Sequence, residues 1–114
     1  MRLPIFSGPP RRRSNWLIVR RVSGDSMTPT LKPGQIVVAL NRPSRSYKIG
    51  DIVILHRNNR DIIKRISRVR NYEVYVEGDN PGQSTDSRQF GWVGVQLIAG
   101  KVLWPTRLHK ASQR

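Results

Sequence analysis

Ser26 and Lys64 are the residues of this chain whose types and settings suit chemistry together. A serine hydroxyl is a poor nucleophile until a base takes its proton. The two histidines, His56 and His109, lie far apart and neither stands in a motif that pairs it with a serine, so a Ser-His-Asp arrangement has no support. A lysine can act instead, but only as a neutral amine. Its ordinary pKa is about 10.4, whereas useful general bases titrate at roughly 7 to 8. Closing that gap means disfavouring the ammonium by about 4 kcal/mol, a shift that burial beside apolar side chains can supply. Lys32 and Lys101 adjoin a proline or glycine, Lys48 lies two residues from Gly50, and Lys110 sits in a polar tail. Lys64 alone stands between isoleucines, in "DIIKRIS".

The serine's own setting, "VSGDSMTPTL", complements that lysine. Gly24 permits a backbone conformation closed to other residues. Pro29 biases Thr28 towards an extended conformation and cannot donate a hydrogen bond. Together they can hold a bent segment with the Ser26 hydroxyl and its N–H facing a cleft, a position suited to an oxyanion donor. Met27 offers an apolar, adaptable surface at the cleft edge. Taken by itself, the same serine also reads as a plain turn residue.

The elements that must position these groups are short and β-rich. Six runs read as strands: "WLIVRRV", "QIVVAL", "DIVILHR", "RDIIKRI", "YEVYVE" and "VQLIAGKVLW". Turn formers separate them, and a long polar stretch runs from Gly78 to Gly91. No helical period of useful length is present. The fold expected is mostly β, a small coiled antiparallel sheet closing into a barrel-like core. "HRNNRD" reads as a tight hairpin in which Asn58 and Asn59 take positive φ. Strand parity places Ile62, Lys64 and Ile66 on one face, so Lys64 is either partly buried or snorkels its ammonium to water. Residues 1–15, with three prolines and an arginine triplet, read as a flexible basic arm. Residues 16–108 form the single domain and 109–114 a polar tail.

Composition limits the partners. Twenty-one Lys and Arg face seven Asp and Glu, giving a formal charge of +14. Nucleic acid, an anionic membrane surface, or a solvated basic face with no partner all fit that balance. A nucleic-acid module would want a pattern of aromatic platforms, which the few aromatic residues do not make. Cysteine is absent, which removes disulfides and thiolate sites, and the histidine spacing suits no metal, so neither metal nor cofactor is expected. The longest apolar run, Ile36 to Leu40, is far short of the roughly 20 residues that span a bilayer. With the start at Met1 and no leader-like segment, a soluble, cytoplasmic product is expected, with a membrane-peripheral one as the alternative.

Four segments resemble a known family. "SGDSMTPTL" looks like the nucleophile box of the type I signal peptidases, which use a Ser/Lys dyad. "GDIVIL" (Gly50 to Leu55) is similar to their next box and "IKRI" (Ile63 to Ile66) to the box of the lysine base. "GDNPGQSTDSRQFGWV" (Gly78 to Val93) matches their last one. The four occur in the family's order over about Val22 to Trp104. The resemblance implies Ser26 as nucleophile and Lys64 as base, with Ser84 orienting the amine. It further implies that Asp86 and Arg88 form a supporting ion pair, with Gly78 in a turn close by. Asp79, Asn80 and Pro81 read as a plain turn, and Ser87 as a possible cap of the loop. Gly24 stands where many members carry a hydroxyl residue as second oxyanion donor, so only backbone N–H groups or water can serve there. Met27 and Pro29 are expected to bind substrate.

Without the membrane anchor and large insertions of the membrane enzymes, the chain looks closest to the small peptidases that mature nickel-type superoxide dismutase. The implied function is removal of an N-terminal leader from a protein substrate, possibly that dismutase precursor. Two alternatives are a general signal peptidase acting at the membrane and a non-enzymatic basic β module that binds nucleic acid.

Overall fold

The computed structural model describes residues 17–43 and 46–106. The basic arm expected over 1–15 and the tail expected over 109–114 lie outside the described residues. Within them, seven strands follow the β-branched runs: β1 (Leu17–Arg21), β2 (Ile36–Leu40), β3 (Ile52–Arg57), β4 (Arg60–Arg70), β5 (Glu73–Glu77), β6 (Val93–Gly94) and β7 (Ile98–Trp104). One helical turn, α1 (Ser87–Phe90), interrupts the polar stretch before β6.

All the strands belong to one antiparallel sheet in the order β1-β2-β7-β3-β4-β5-β6. Among the described residues no pairing joins β1 to β6, the two ends of this small coiled sheet. Register shifts at Val38/Ala39, Ile54/Leu55 and Ile66/Arg68 mark where it bends, as bulges do in strongly coiled sheets. The β3–β4 turn is the expected two-residue loop, with Asn58 and Asn59 at φ 53° and 63°.

Coiling buries both faces of the middle strands. Along β3, Val53 and Leu55 enter one apolar cluster with Ile66, Val74 and Val76. Ile52 and Ile54 enter a second with Met27, Leu31, Val37 and Val102. A strand buried on both sides needs a continuous apolar run rather than alternation, and "IVIL" supplies one.

The structure departs from the sequence reading in three places. β4 continues past Ile66 to Arg70, although "SRVR" is too polar to announce a strand; it does so because β5 folds back on it as a hairpin. Val95–Leu97, expected to begin the last strand, form a 3-10 turn instead. The helix α1 was not expected, and one turn is too short to show a period. It is fixed by a capping box: Asp86 accepts from the Arg88 N–H, while Gln89 reaches back to the Asp86 N–H.

Candidate active site

β4 delivers Lys64. The residue shares its face with Ile62 and Ile66, as alternation requires, and its side chain is only 4% exposed. Burial therefore wins over snorkelling. Nζ donates a 3.0 Å hydrogen bond to Ser84 Oγ. Desolvation pushes the amine below the ordinary lysine range; the nearby Asp86 carboxylate opposes that shift and the Arg88 guanidinium adds to it.

Ser84 has one proton to give, and the 2.5 Å contact from its Oγ to Asp86 Oδ2 spends it. Asp86 is fully buried. It accepts in addition from the Gly78 N–H (2.7 Å), from Arg88 Nε (2.9 Å) and an Arg88 terminal nitrogen (2.6 Å), and from the Arg88 N–H (3.1 Å). Burial alone would raise its pKa, but the Arg88 pair and the hydroxyl and backbone donors outweigh it and hold the carboxyl well below the usual range. The proton order is then fixed from the far end: Arg88 holds Asp86 ionised, Asp86 takes the Ser84 proton, and Ser84 accepts from Lys64.

Ser26 lies on the loop after β1. Gly24 takes φ 76° just before it, in the left-handed region that favours glycine. Ser26 and Lys64 line the same cleft of about 420 Å³, together with Gly24, Met27, Ile62 and Ile63. Among the described residues, no hydrogen bond joins Ser26 Oγ to Lys64, and the Ser26 N–H has no acceptor. Gly78 brings the two halves together. A Cβ at that position would fall 2.6 Å from the Ser26 carbonyl oxygen and would also strike the Ser84 side chain.

Two residues read as a plain turn do more than turn the chain. Asp79 takes a two-pronged contact from Arg65 (2.9 and 2.8 Å) and a 2.6 Å hydrogen bond from the Thr30 hydroxyl. Its side chain is 2% exposed. Asn80 donates from its side chain to the Asp25 carbonyl (3.1 Å) and Thr28 Oγ1 (2.8 Å), and from its N–H to the Ser26 carbonyl (2.8 Å). Asp79 thus braces the Ser26 loop against β4, and Asn80 ties that loop to the turn after β5. Replacing Asn80 by alanine is expected to cost about 1–2 kcal/mol, measured as a lowered thermal midpoint.

Met27 belongs to the core at 1% exposure and also lines the cleft, because the β1–β2 connection folds over the second apolar cluster. Pro29 is exposed and outside the cleft lining. Ser87 does not cap α1; its hydroxyl accepts from the Val76 N–H at 2.8 Å and so ties the helix to β5. No group of metal-ligating side chains occurs among the described residues.

Comparison with known proteins identifies the family of the chain. A model of the family described as Peptidase S24-like matches residues 4–102. The mitochondrial inner membrane protease subunit 1 of Mus musculus is 34% identical over 111 aligned positions, 73% of this chain and 67% of the relative. Subunit 2 of Danio rerio is 37% identical over 117 positions, covering 76% and 64%. Subunit 1 of Schizosaccharomyces pombe is 32% identical over 115, covering 76% and 73%. The chain spans about two thirds of the length of these relatives. They carry the name of inner membrane protease subunits, not of dismutase-maturing peptidases.

Proposed function

The chain belongs to the Peptidase S24-like family, and from that premise we propose that it is a Ser/Lys endopeptidase that removes an N-terminal leader from a protein precursor. The observation that carries this reading is the buried Lys64 amine, bonded to Ser84 and facing the cleft that Ser26 also faces. Donating one N–H to Ser84 leaves the lone pair of the neutral amine free to take the Ser26 proton. Ser26 Oγ then attacks the scissile carbonyl, with the Ser26 N–H donating to the oxyanion. The resulting Lys64 ammonium returns its proton to the leaving amine. A water, deprotonated by Lys64, hydrolyses the acyl-enzyme and restores the serine. The direct bond between base and nucleophile forms when substrate seats Ser26, as catalytic contacts often tighten only in the complex.

Substrate lies as a strand between two open edges. β1 pairs only with β2, and Arg60 to Lys64 pair only with β3, among the described residues. The Val22 N–H and carbonyl are both bonded on the β2 side, so alternation turns the backbone of Arg21 and Ser23 to the cleft. The pair Arg57 and Arg60 closes a two-residue hairpin, which likewise leaves the backbone of Asp61 and Ile63 facing outward. A peptide inserted there gains hydrogen bonds from both lips.

The wording of the last box supports a nickel-type superoxide dismutase precursor as substrate. The names of the relatives support a second setting, at a membrane surface; no helix among the described residues is long and apolar enough to cross one. Purified chain incubated with a leader-bearing dismutase precursor in solution, and with a leader-bearing precursor on anionic vesicles, separates the two by mass spectrometry of the cut. A single cut at the leader junction in solution supports the first setting, and a cut that needs vesicles supports the second. No cut in either sinks the peptidase reading.

A further inference from the structure

We propose that Arg60, with Arg20 and Arg57, makes this cleft select leaders that carry an acidic side chain upstream of the cut; the proposal rests on the peptidase reading. Four arginines line the cleft (these three and Arg21) against two aspartates, Asp25 and Asp61. Asp61 is already spoken for. His56 Nδ1 and Arg20 Nε each meet its carboxylate at 2.8 Å, and these contacts, that of His56 foremost, hold it ionised. Arg57 lies over the Phe90 ring at 3.8 Å, which fixes its guanidinium at the wall and leaves its hydrogen-bond donors unspent among the described residues. Arg60 is exposed, and its side chain has no hydrogen bond or ion pair among the described residues. The cleft is therefore positive at its far end and apolar near the base.

Position along the strand says where the acid belongs. Arg60 shares a face with Lys64 four residues on, a separation of about 13 Å at strand rise. An added strand has the same rise, so the side chain opposite Arg60 lies about four residues from the bond held at Ser26. The loop from β1 and the start of β4 both approach the dyad from this side, and the proposal takes the leader to lie along it. A glutamate there meets Arg60 directly and competes with Asp61 for Arg20. Two such charges at a wet rim are worth about two- to fivefold in affinity, and salt screens the effect.

The test uses full-length Ser26→Ala protein and fluorescein-labelled twelve-residue peptides with alanines before the central bond. Each peptide carries one glutamate, or glutamine in its place, four or five residues upstream. Binding by anisotropy is expected to favour glutamate by about two- to fivefold at low salt, with the gap closing as salt rises. Arg60→Glu, or Arg60→Gln should the reversal unfold, removes the preference. Lys48→Glu, an equal change in net charge at an exposed residue outside the cleft, keeps it. Equal binding of the two peptides, or a preference that survives in the Arg60 variants, overturns the proposal. Cleavage by the unsubstituted chain is read separately: no turnover of either peptide removes the peptidase reading while the binding comparison still decides the acidic one.

Discussion

Lys64→Ala and Ser26→Ala are each expected to lower leader cleavage by about 10⁴-fold or more, with the thermal midpoint of Ser26→Ala close to that of the parent. The cause is the division of labour between the two groups. Without the amine the hydroxyl keeps its proton, and without the hydroxyl the amine has nothing to activate. pH supplies the discriminating readout. Because burial penalises the ammonium, kcat/KM should rise with pH as Lys64 loses its proton and level off at a midpoint below the ordinary lysine value. The stability sign follows from the same shift. Between the lowered folded pKa and the unfolded one, the unfolded chain binds more protons, so stability rises with pH across that window. Lys64→Met should flatten that slope as well as abolish cleavage. A cleaving Lys64→Ala protein, or a profile that ignores Lys64, removes the dyad.

Gly78→Ala should be nearly as damaging to activity, although it adds one methyl group at a residue that touches no substrate. The new Cβ meets the Ser26 carbonyl at 2.6 Å. That carbonyl is backbone, pinned by the Asn80 N–H at 2.8 Å, and cannot rotate away. On its other side the methyl displaces Ser84, which holds the lysine. Overpacking of this kind costs about 1–3 kcal/mol, and displacing catalytic groups by an ångström costs roughly a hundredfold in rate. The expected result is a folded protein with a lowered thermal midpoint and about a hundredfold loss of kcat with little change in KM. Unchanged kcat means that Ser26 and Ser84 do not depend on the close approach of this glycine.

What the sequence discloses and what it hides divide along chain separation. The strands were legible because each is a local β-branched run, and the Asn58–Asn59 hairpin because both residues tolerate positive φ. Lys64 was legible through parity, since two isoleucines at the spacing of a strand face define its side. The bracing role of Asp79 and Asn80 was not. Their partners Arg65, Thr30, Asp25 and Thr28 lie 14 to 55 residues away, and nothing local distinguishes them from turn residues. Met27 was legible in part: it lines the cleft, but nothing local shows that the fold also sinks it into the second apolar cluster. The one-turn α1 and the two-residue β6 are below the length at which any period can register.

The two open strand edges beside the cleft carry a hazard of their own. An uncovered edge is a template on which another molecule of the same chain can lengthen the sheet and grow insoluble assemblies. Arg20 and Arg21 on one lip and Arg60 on the other set like charge against like when two such edges approach. The same side chains thus guard the vacant groove between turnovers, and a variant stripped of them gives up colloidal protection along with whatever it loses in recognition.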